Sequence, residues 1–230
     1  MTAKKGVFYG VGIGPGDPEL LTLKAVRILE GCEVIAAPRT KGEATLALEI
    51  AGKAVDLSGK EILPLEFTMD RDPEVRMAAY RAAAEQLKAP LSQGRDVAMV
   101  TLGDVSIYTT FCYLMDLIRA DGFETAMIPG VTSFSAIAAR LGISLTEMNA
   151  PLHIIPASAM STGEALALDG TKVLMKSGRQ LDEVVRTIRE QGLLDRASLV
   201  SNCGLEHEFV CTDLSRLEGQ PGYFTTIIVK

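Results

Sequence analysis

Residues 10–25 read GVGIGPGDPELLTLKA, with glycine at alternate positions 10, 12, 14 and 16 and Pro15 set among them. Glycine weakens a strand interior, so a run of it marks a sharp bend or a close approach to bare backbone. Ahead of the run, 7–13 is apolar and rich in β-branched residues. Behind it, Leu21, Ala25, Ile28 and Leu29 fall on one helical face that stops at Gly31. Asp17 is suited to cap that helix, with Pro18 at its first position and Glu19 near the positive end of its dipole. The stretch therefore calls for a strand, a tight turn and a helix in immediate succession. At the turn, either the corner itself or a ligand lying against the backbone requires the glycines.

The same rhythm continues. EVIAAP reads as a short buried strand ending at Pro38. Asp72 and Pro73 repeat the helix start, and DPEVRMAAYRAAAEQLKAP predicts a helix that stops at Pro90. DVAMVTL (96–102) has the unbroken apolar character of a parallel-sheet strand. A helix through Tyr113 and Leu117 to Ala120, the strand FETAMIP and the helix SFSAIAARLG follow. From Asn149-Ala150-Pro151 onward the strand candidates are LHIIPAS, TKVLMKS, RASLVSNCG and GYFTTIIVK, and their spacing suits a mixed sheet. The expected fold is α/β, in two domains: 1–148 with a mostly parallel sheet and glycine-rich turns, and 149–230 with a mixed sheet.

Composition narrows the function classes. A chain of 230 residues can form one large or two small domains, and its 47% apolar content is ordinary for a globular protein. No apolar run reaches the roughly 18 residues of a membrane span. The opening MTAKKG lacks the long apolar core of a secretion signal, so the expected location is cytoplasmic, with no membrane partner. A net charge of −6 argues against a nucleic-acid partner. Cys32, Cys112, Cys203 and Cys211 show no CxxC spacing and the histidines are His153 and His207, so no protein-bound metal is expected.

Three strand candidates end in turn residues: GIGPGDP, TLGDVSIY and PGVTS. In open parallel sheets ligands bind beyond the carboxyl ends of the strands, so these ends are expected to share one crevice. The crevice does not read as a dinucleotide site, because Asp17 or Pro15 stands where the G-x-G-x-x-G pattern needs its last glycine. No Gly-Lys is followed by Ser or Thr, and Asp17 would repel a phosphate. A neutral or cationic ligand with an adenosine-like apolar body fits better. Taken singly, Asp104 is an ordinary turn residue, Thr132 and Ser133 an ordinary helix cap, and Met175 an ordinary core filler.

Three long segments together, GVGIGPGDPELLTLKA (10–25), MVTLGDVSIYTT (99–110) and PGVTSFSAIAARLGISL (129–145), with the ending YFTTIIVK, resemble the tetrapyrrole (corrin/porphyrin) methylases. TLGDVSIYTTFCYLMDLI and IAAPRTKG are most similar to the branch that methylates C20 of precorrin-2 or cobalt-factor II. The resemblance implies S-adenosylmethionine as donor, S-adenosylhomocysteine as product, a homodimer, and a site in the cleft between the domains, the second domain completing the donor site. It implies donor contacts from Pro15, Gly103, Asp104, Val105, Ser106, Tyr108, Thr132, Ser133, Met175, Thr225 and Thr226. The acceptor would be a polycarboxylate tetrapyrrole, for which Arg39, Lys41, Lys176 and Arg179 are the candidate cations. Methyl transfer from a sulfonium to an electron-rich meso carbon needs alignment and exclusion of water, and no Ser-His-Asp or Cys-His set is visible. Asp104 is the candidate base for the meso proton, with solvent or the macrocycle itself as alternatives. One departure stands out: the family's Gly-Asp-Pro is Gly103-Asp104-Val105 here, which restores an N–H and some freedom to the loop. The alternatives are a methylase of the same fold acting elsewhere, such as on uroporphyrinogen III, precorrin-4, a protein or ribosomal RNA, and a non-catalytic sensor of S-adenosyl ligands.

Overall fold

A computed structural model describes residues 4–39, 46–68, 70–219, 221–222 and 224–230. The chain divides into two compact units, Met1–Thr132 and Ser133–Lys230. The first alternates β1 (Val7–Gly12), α1 (Leu23–Gly31), β2 (Val34–Arg39), α2 (Leu46–Ala54), β3 (Glu61–Glu66), α3 (Pro73–Ser92), β4 (Val97–Thr101), α4 (Phe111–Ala120) and β5 (Glu124–Ile128). Its sheet runs in the order β3-β2-β4-β1-β5, parallel throughout. Such a sheet is covered on both faces. On one, Phe8, Val34, Ala36, Leu65, Val97 and Met99 pack with Tyr80 and Leu87 of α3 and Leu114 and Ile118 of α4. On the other, α1 lies against β1 and α2 against β4. β3 contains Pro64, which the sheet tolerates because β3 is an edge strand paired only with β2.

The order β4-β1-β5 makes the three strands that carry the glycine-rich ends immediate neighbours, with Gly12 opposite Thr101 and Val11 opposite Ile128. Two helix boundaries differ from the sequence expectation. Asp17 caps a separate 3-10 turn, Pro18–Leu20, by accepting from Glu19 N at 2.9 Å, and Leu21 and Thr22 are extended. α1 then starts at Leu23 because Thr22 Oγ1 accepts from Ala25 N at 3.1 Å, a second cap nearer the apolar face. α3 starts as expected after Asp72, yet runs past Pro90 to Ser92. Pro90 withdraws the bond its N–H would make to the carbonyl four residues back, and the fully buried Leu91, whose carbonyl accepts from Gly6 N at 2.8 Å, anchors the extension past it.

The second unit contains α5 (Ser133–Leu141), β6 (Leu152–Pro156), α6 (Thr162–Leu166), β7 (Thr171–Met175), α7 (Leu181–Glu190), β8 (Ala197–Ser201), β9 (Phe209–Cys211) and β10 (Thr225–Val229). Its sheet is mixed, in the order β6-β7-β10-β8-β9: β6 and β7 are parallel, and the remaining pairs are antiparallel. Phe134 and Ile137 of α5 pack on Val173, Val200 and Ile228. Val184, Val185 and Ile188 of α7, with Ala165 and Leu166 of α6, pack against Leu174, Leu199, Ile227 and Val229. Among the described residues no helix is long and apolar enough to cross a membrane.

Candidate functional site

The glycine run is explained by what presses against it. A Cβ on Gly10 would lie 2.6 Å from ring carbons of Phe111, at the start of α4. A Cβ on Gly12 would lie 2.7 Å from Gly130 N and 2.8 Å from Gly103 O, both backbone. Gly14 and Gly103 take φ values of 75° and 70°, a region glycine enters without steric cost. They bond reciprocally, Gly14 N to Gly103 O at 3.2 Å and Gly103 N to Gly14 O at 2.8 Å, while Ile13 N donates to Thr101 O at 3.0 Å. The loops after β1 and β4 are thus bonded backbone to backbone at the carboxyl end of the first sheet, and the backbone of Gly130 in the loop after β5 closes against both.

Asp104 ties the lock. Its Oδ1 accepts from Ser106 N at 2.9 Å and from the Ser106 hydroxyl, and its Oδ2 accepts from Gly130 N at 2.8 Å, joining the second loop to the third. Partial burial works to raise its pKa, but the bonds from Ser106, Gly130 and Val105 outweigh it and hold the carboxyl below the usual carboxylate range. The Val105 donor is a backbone N–H, which the family's proline would lack. The Val105 side chain is buried among the α3 and α4 residues, and its carbonyl accepts from Thr109 Oγ1 at 2.8 Å. Valine therefore leaves the loop anchored at the side chain, the N–H and the carbonyl.

Around this knot, Pro15 is half-buried and Ser106 exposed. Tyr108 adopts φ 51°, unusual for a bulky residue, and is 49% exposed. Thr132 precedes α5, and Ser133 is its first residue. Arg39 closes β2 at the same carboxyl end of the sheet and is exposed, whereas Lys41 lies outside the described residues.

The second unit gathers its candidates at one end of the mixed sheet. Met175 is the last residue of β7, and its carbonyl accepts from Ala157 N at 2.8 Å. β10 is antiparallel to β7 with Ile227 opposite Leu174, so Thr225 and Thr226 enter the sheet where Met175 and Lys176 leave it. Both threonines are buried, and Thr225 Oγ1 donates to Gly222 O at 2.5 Å. Lys176 is exposed with φ 58°, and Arg179 is exposed in the 3-10 turn Ser177–Gln180 that follows.

Two residues at this end are not foreseen from sequence. Ser201 pairs with Thr225 across β8 and β10, and its fully buried hydroxyl has no hydrogen-bond partner among the described residues; Thr101 Oγ1, opposite Gly12, is in the same condition. Asn202 follows in the left-handed region, φ 53°. The signal available for it is Asn at a strand end, since Asn tolerates that conformation better than most residues. A lone buried serine has no such mark. Among the described residues no group of three or more His, Cys, Asp or Glu could hold a metal ion.

Known proteins share this fold. The family model of the tetrapyrrole (corrin/porphyrin) methylases matches residues 7–218. The chain is 32% identical to the cobalt-precorrin-2 C(20)-methyltransferase of Salmonella typhimurium, covering 98% of this chain and 96% of that protein. It is 30% identical to a precorrin-2 C(20)-methyltransferase of Sinorhizobium sp, covering 97% and 95%. Among solved structures, a cobalt precorrin-4 methyltransferase superposes with a TM-score of 0.73 at 20% identity, covering 97% of this chain and 94% of the other. The uroporphyrin-III C-methyl transferase of Thermus thermophilus, in complex with S-adenosyl homocysteine, superposes with a TM-score of 0.69 at 20% identity, covering 97% and 92%. With a match along nearly its whole length, and with the three interlocked loops that its motifs encode, the chain belongs to the tetrapyrrole (corrin/porphyrin) methylases.

Proposed function

We propose that this protein transfers a methyl group from S-adenosylmethionine to C20, a meso carbon, of precorrin-2 or cobalt-factor II in cobalamin (vitamin B12) biosynthesis. The observation that carries the reading is the three-loop knot around Asp104, in a chain about a third identical to C20-methyltransferases over nearly its full length. When bound, S-adenosylmethionine supplies an electrophilic sulfonium methyl. The residues present suit it. The Asp104 carboxylate stays ionised near neutral pH and favours a cationic ligand, and the buried Ser201 hydroxyl makes no hydrogen bond among the described residues.

Pro15, Gly103, Asp104, Val105, Ser106 and Tyr108 would hold the donor from the first unit. Met175, Thr225 and Thr226 would hold it from the second, with Thr132 and Ser133 at the start of α5. Because the loops are already bonded to one another, little reorganisation accompanies binding, and the protein's work is alignment. Asp104 is better suited to hold the loops than to take the meso proton: its oxygens are engaged by N–H and O–H donors, and its proton affinity is lowered. The proton then goes to solvent or to a basic atom of the macrocycle. Arg39, Lys41, Lys176 and Arg179 would meet the acceptor's carboxylates. The working unit is a homodimer, a reading carried by the family resemblance and checked by sedimentation equilibrium. The acceptor is tested by incubation with radiolabelled S-adenosylmethionine and, separately, precorrin-2, cobalt-factor II, uroporphyrinogen III and precorrin-4. Label is expected in at least one of the first two; label in only the last two would overturn the assignment.

A further inference from the structure

The aromatic side chains at the carboxyl end of the first sheet form a ladder that is not closed at its outer end. Phe67 follows β3, and its ring centroid lies 6.0 Å from that of Tyr80 on α3. Tyr80 in turn stacks on Tyr113, in the first turns of α4, at 5.0 Å and an interplanar angle of 12°. Tyr80 is buried, but Tyr113 is 52% exposed. One face of the Tyr113 ring is therefore fixed against Tyr80, and much of the rest of the ring is open to solvent. The ladder stands beside the knot. α4 begins where the Asp104 loop ends, and Thr109 Oγ1 and Cys112 Sγ, just ahead of Tyr113, both reach Val105 O.

An aromatic ring held nearly parallel to a buried partner is a rigid flat platform that loses little rotamer freedom when something stacks on it. The methyl donor offers a single aromatic group, its adenine. The acceptor of the proposed reaction offers a far larger conjugated plane, which carboxylate contacts alone would anchor only at its rim. We propose that Tyr113 is an acceptor-binding residue whose open ring face stacks on the conjugated plane of the tetrapyrrole, with Tyr80 and Phe67 backing it; this rests on the tetrapyrrole reading above. The Tyr113 hydroxyl is not required for this role.

The test is a visible-absorbance titration of sirohydrochlorin, the metal-free oxidised acceptor, into protein saturated with S-adenosylhomocysteine, using wild type, Tyr113→Ala and Tyr113→Phe. S-adenosylhomocysteine affinity is measured separately by calorimetry. Tyr113→Ala is expected to weaken sirohydrochlorin binding about three- to tenfold and to reduce the hypochromic change of its visible band. Tyr113→Phe is expected to match wild type, and S-adenosylhomocysteine affinity to be the same in all three. Unchanged sirohydrochlorin affinity in Tyr113→Ala overturns the proposal, as does an equal loss of S-adenosylhomocysteine affinity, which would make Tyr113 a prop for the loop. Failure of wild type to bind any tetrapyrrole overturns the functional reading itself, and this proposal with it.

Discussion

Adding one methyl group to a glycine has opposite consequences at two places in this chain. At Gly130 the new Cβ would sit 2.8 Å from Gly12 C and 2.9 Å from Gly12 Cα, and closer still to Gly103 O, all backbone atoms with no side chain to swing aside. Carbon atoms pack best at about 3.5–4.0 Å, so the third loop must retreat from the first two by roughly 0.7 Å or more. Overpacking of this kind costs about 1–3 kcal/mol. The retreat also stretches the 2.8 Å bond from Gly130 N to Asp104 Oδ2, a bond to a charged acceptor of the kind worth about 1.5–3 kcal/mol when lost outright. A combined loss of about 2–4 kcal/mol is expected for Gly130→Ala, which lowers the thermal midpoint by about 5–15 °C for a chain of this size. Gly31, the last residue of α1, has nothing within 4 Å of its would-be Cβ. Gly31→Ala should stabilise by up to about 1 kcal/mol through helix propensity. Differential scanning calorimetry measures both midpoints, and titration calorimetry with S-adenosylhomocysteine shows whether the displaced loop also loses the donor. Equal midpoints for the two variants, or a Gly130→Ala protein that binds S-adenosylhomocysteine as wild type does, would refute the backbone-locked knot.

Asp104→Asn keeps the shape but removes the charge, and should cost about 1–3 kcal/mol in urea unfolding at pH 7. Because the folded carboxyl titrates below its ordinary value of 3.8, its contribution is complete above that pH and fades as pH falls through the lower folded value; the gap between variant and wild type should therefore narrow below pH 3.8, and a gap constant with pH would contradict the charge-based tie. Val105→Pro restores the family's residue but withdraws one N–H from Asp104, so the Asp104 carboxyl, followed by carbon-13 NMR, should titrate higher than in wild type; an unchanged titration would remove Val105 N–H from the network. Burial first, and the nearby Asp96 charge second, push the Cys32 thiol up to about 12, so iodoacetamide at pH 8 should spare Cys32 in the native protein and modify the half-buried Cys112 sooner; rapid alkylation of Cys32 would contradict its burial.

Much of this architecture is legible in the sequence because the signals are local. The runs that become β1 and β4 are apolar almost throughout, as central strands covered on both faces must be, whereas β5, an edge strand, opens with Glu124 and Thr125 and is more exposed; in all three the glycine at the strand's end announces the turn. Gly10 and Gly12 also announce close contact, but not with what: Phe111 and Gly130 are about a hundred residues away, and only the parallel order β4-β1-β5 brings them there. β3 escapes notice because EILPLE carries Pro64 and an edge strand's polar exposure. The helix limits at Thr22 and Ser92 follow from competition that no short window shows, two capping residues five positions apart in one case and a buried Leu91 beyond a proline in the other. At the site, Asp104 is conspicuous in its motif, yet whether it is a base or a tie depends on donors from Gly130 and Val105 that only the fold supplies. Ser201 is silent because its distinction is a buried hydroxyl that finds no partner among the described residues.

The most direct test of the central claim is the position of the transferred methyl. The protein is incubated with precorrin-2 or cobalt-factor II and S-adenosylmethionine labelled with carbon-13 in its methyl group, and the product is read by carbon-13 NMR. A single enriched methyl on the meso carbon C20 is expected; enrichment on a pyrrole-ring carbon, or none in either acceptor, would contradict the account.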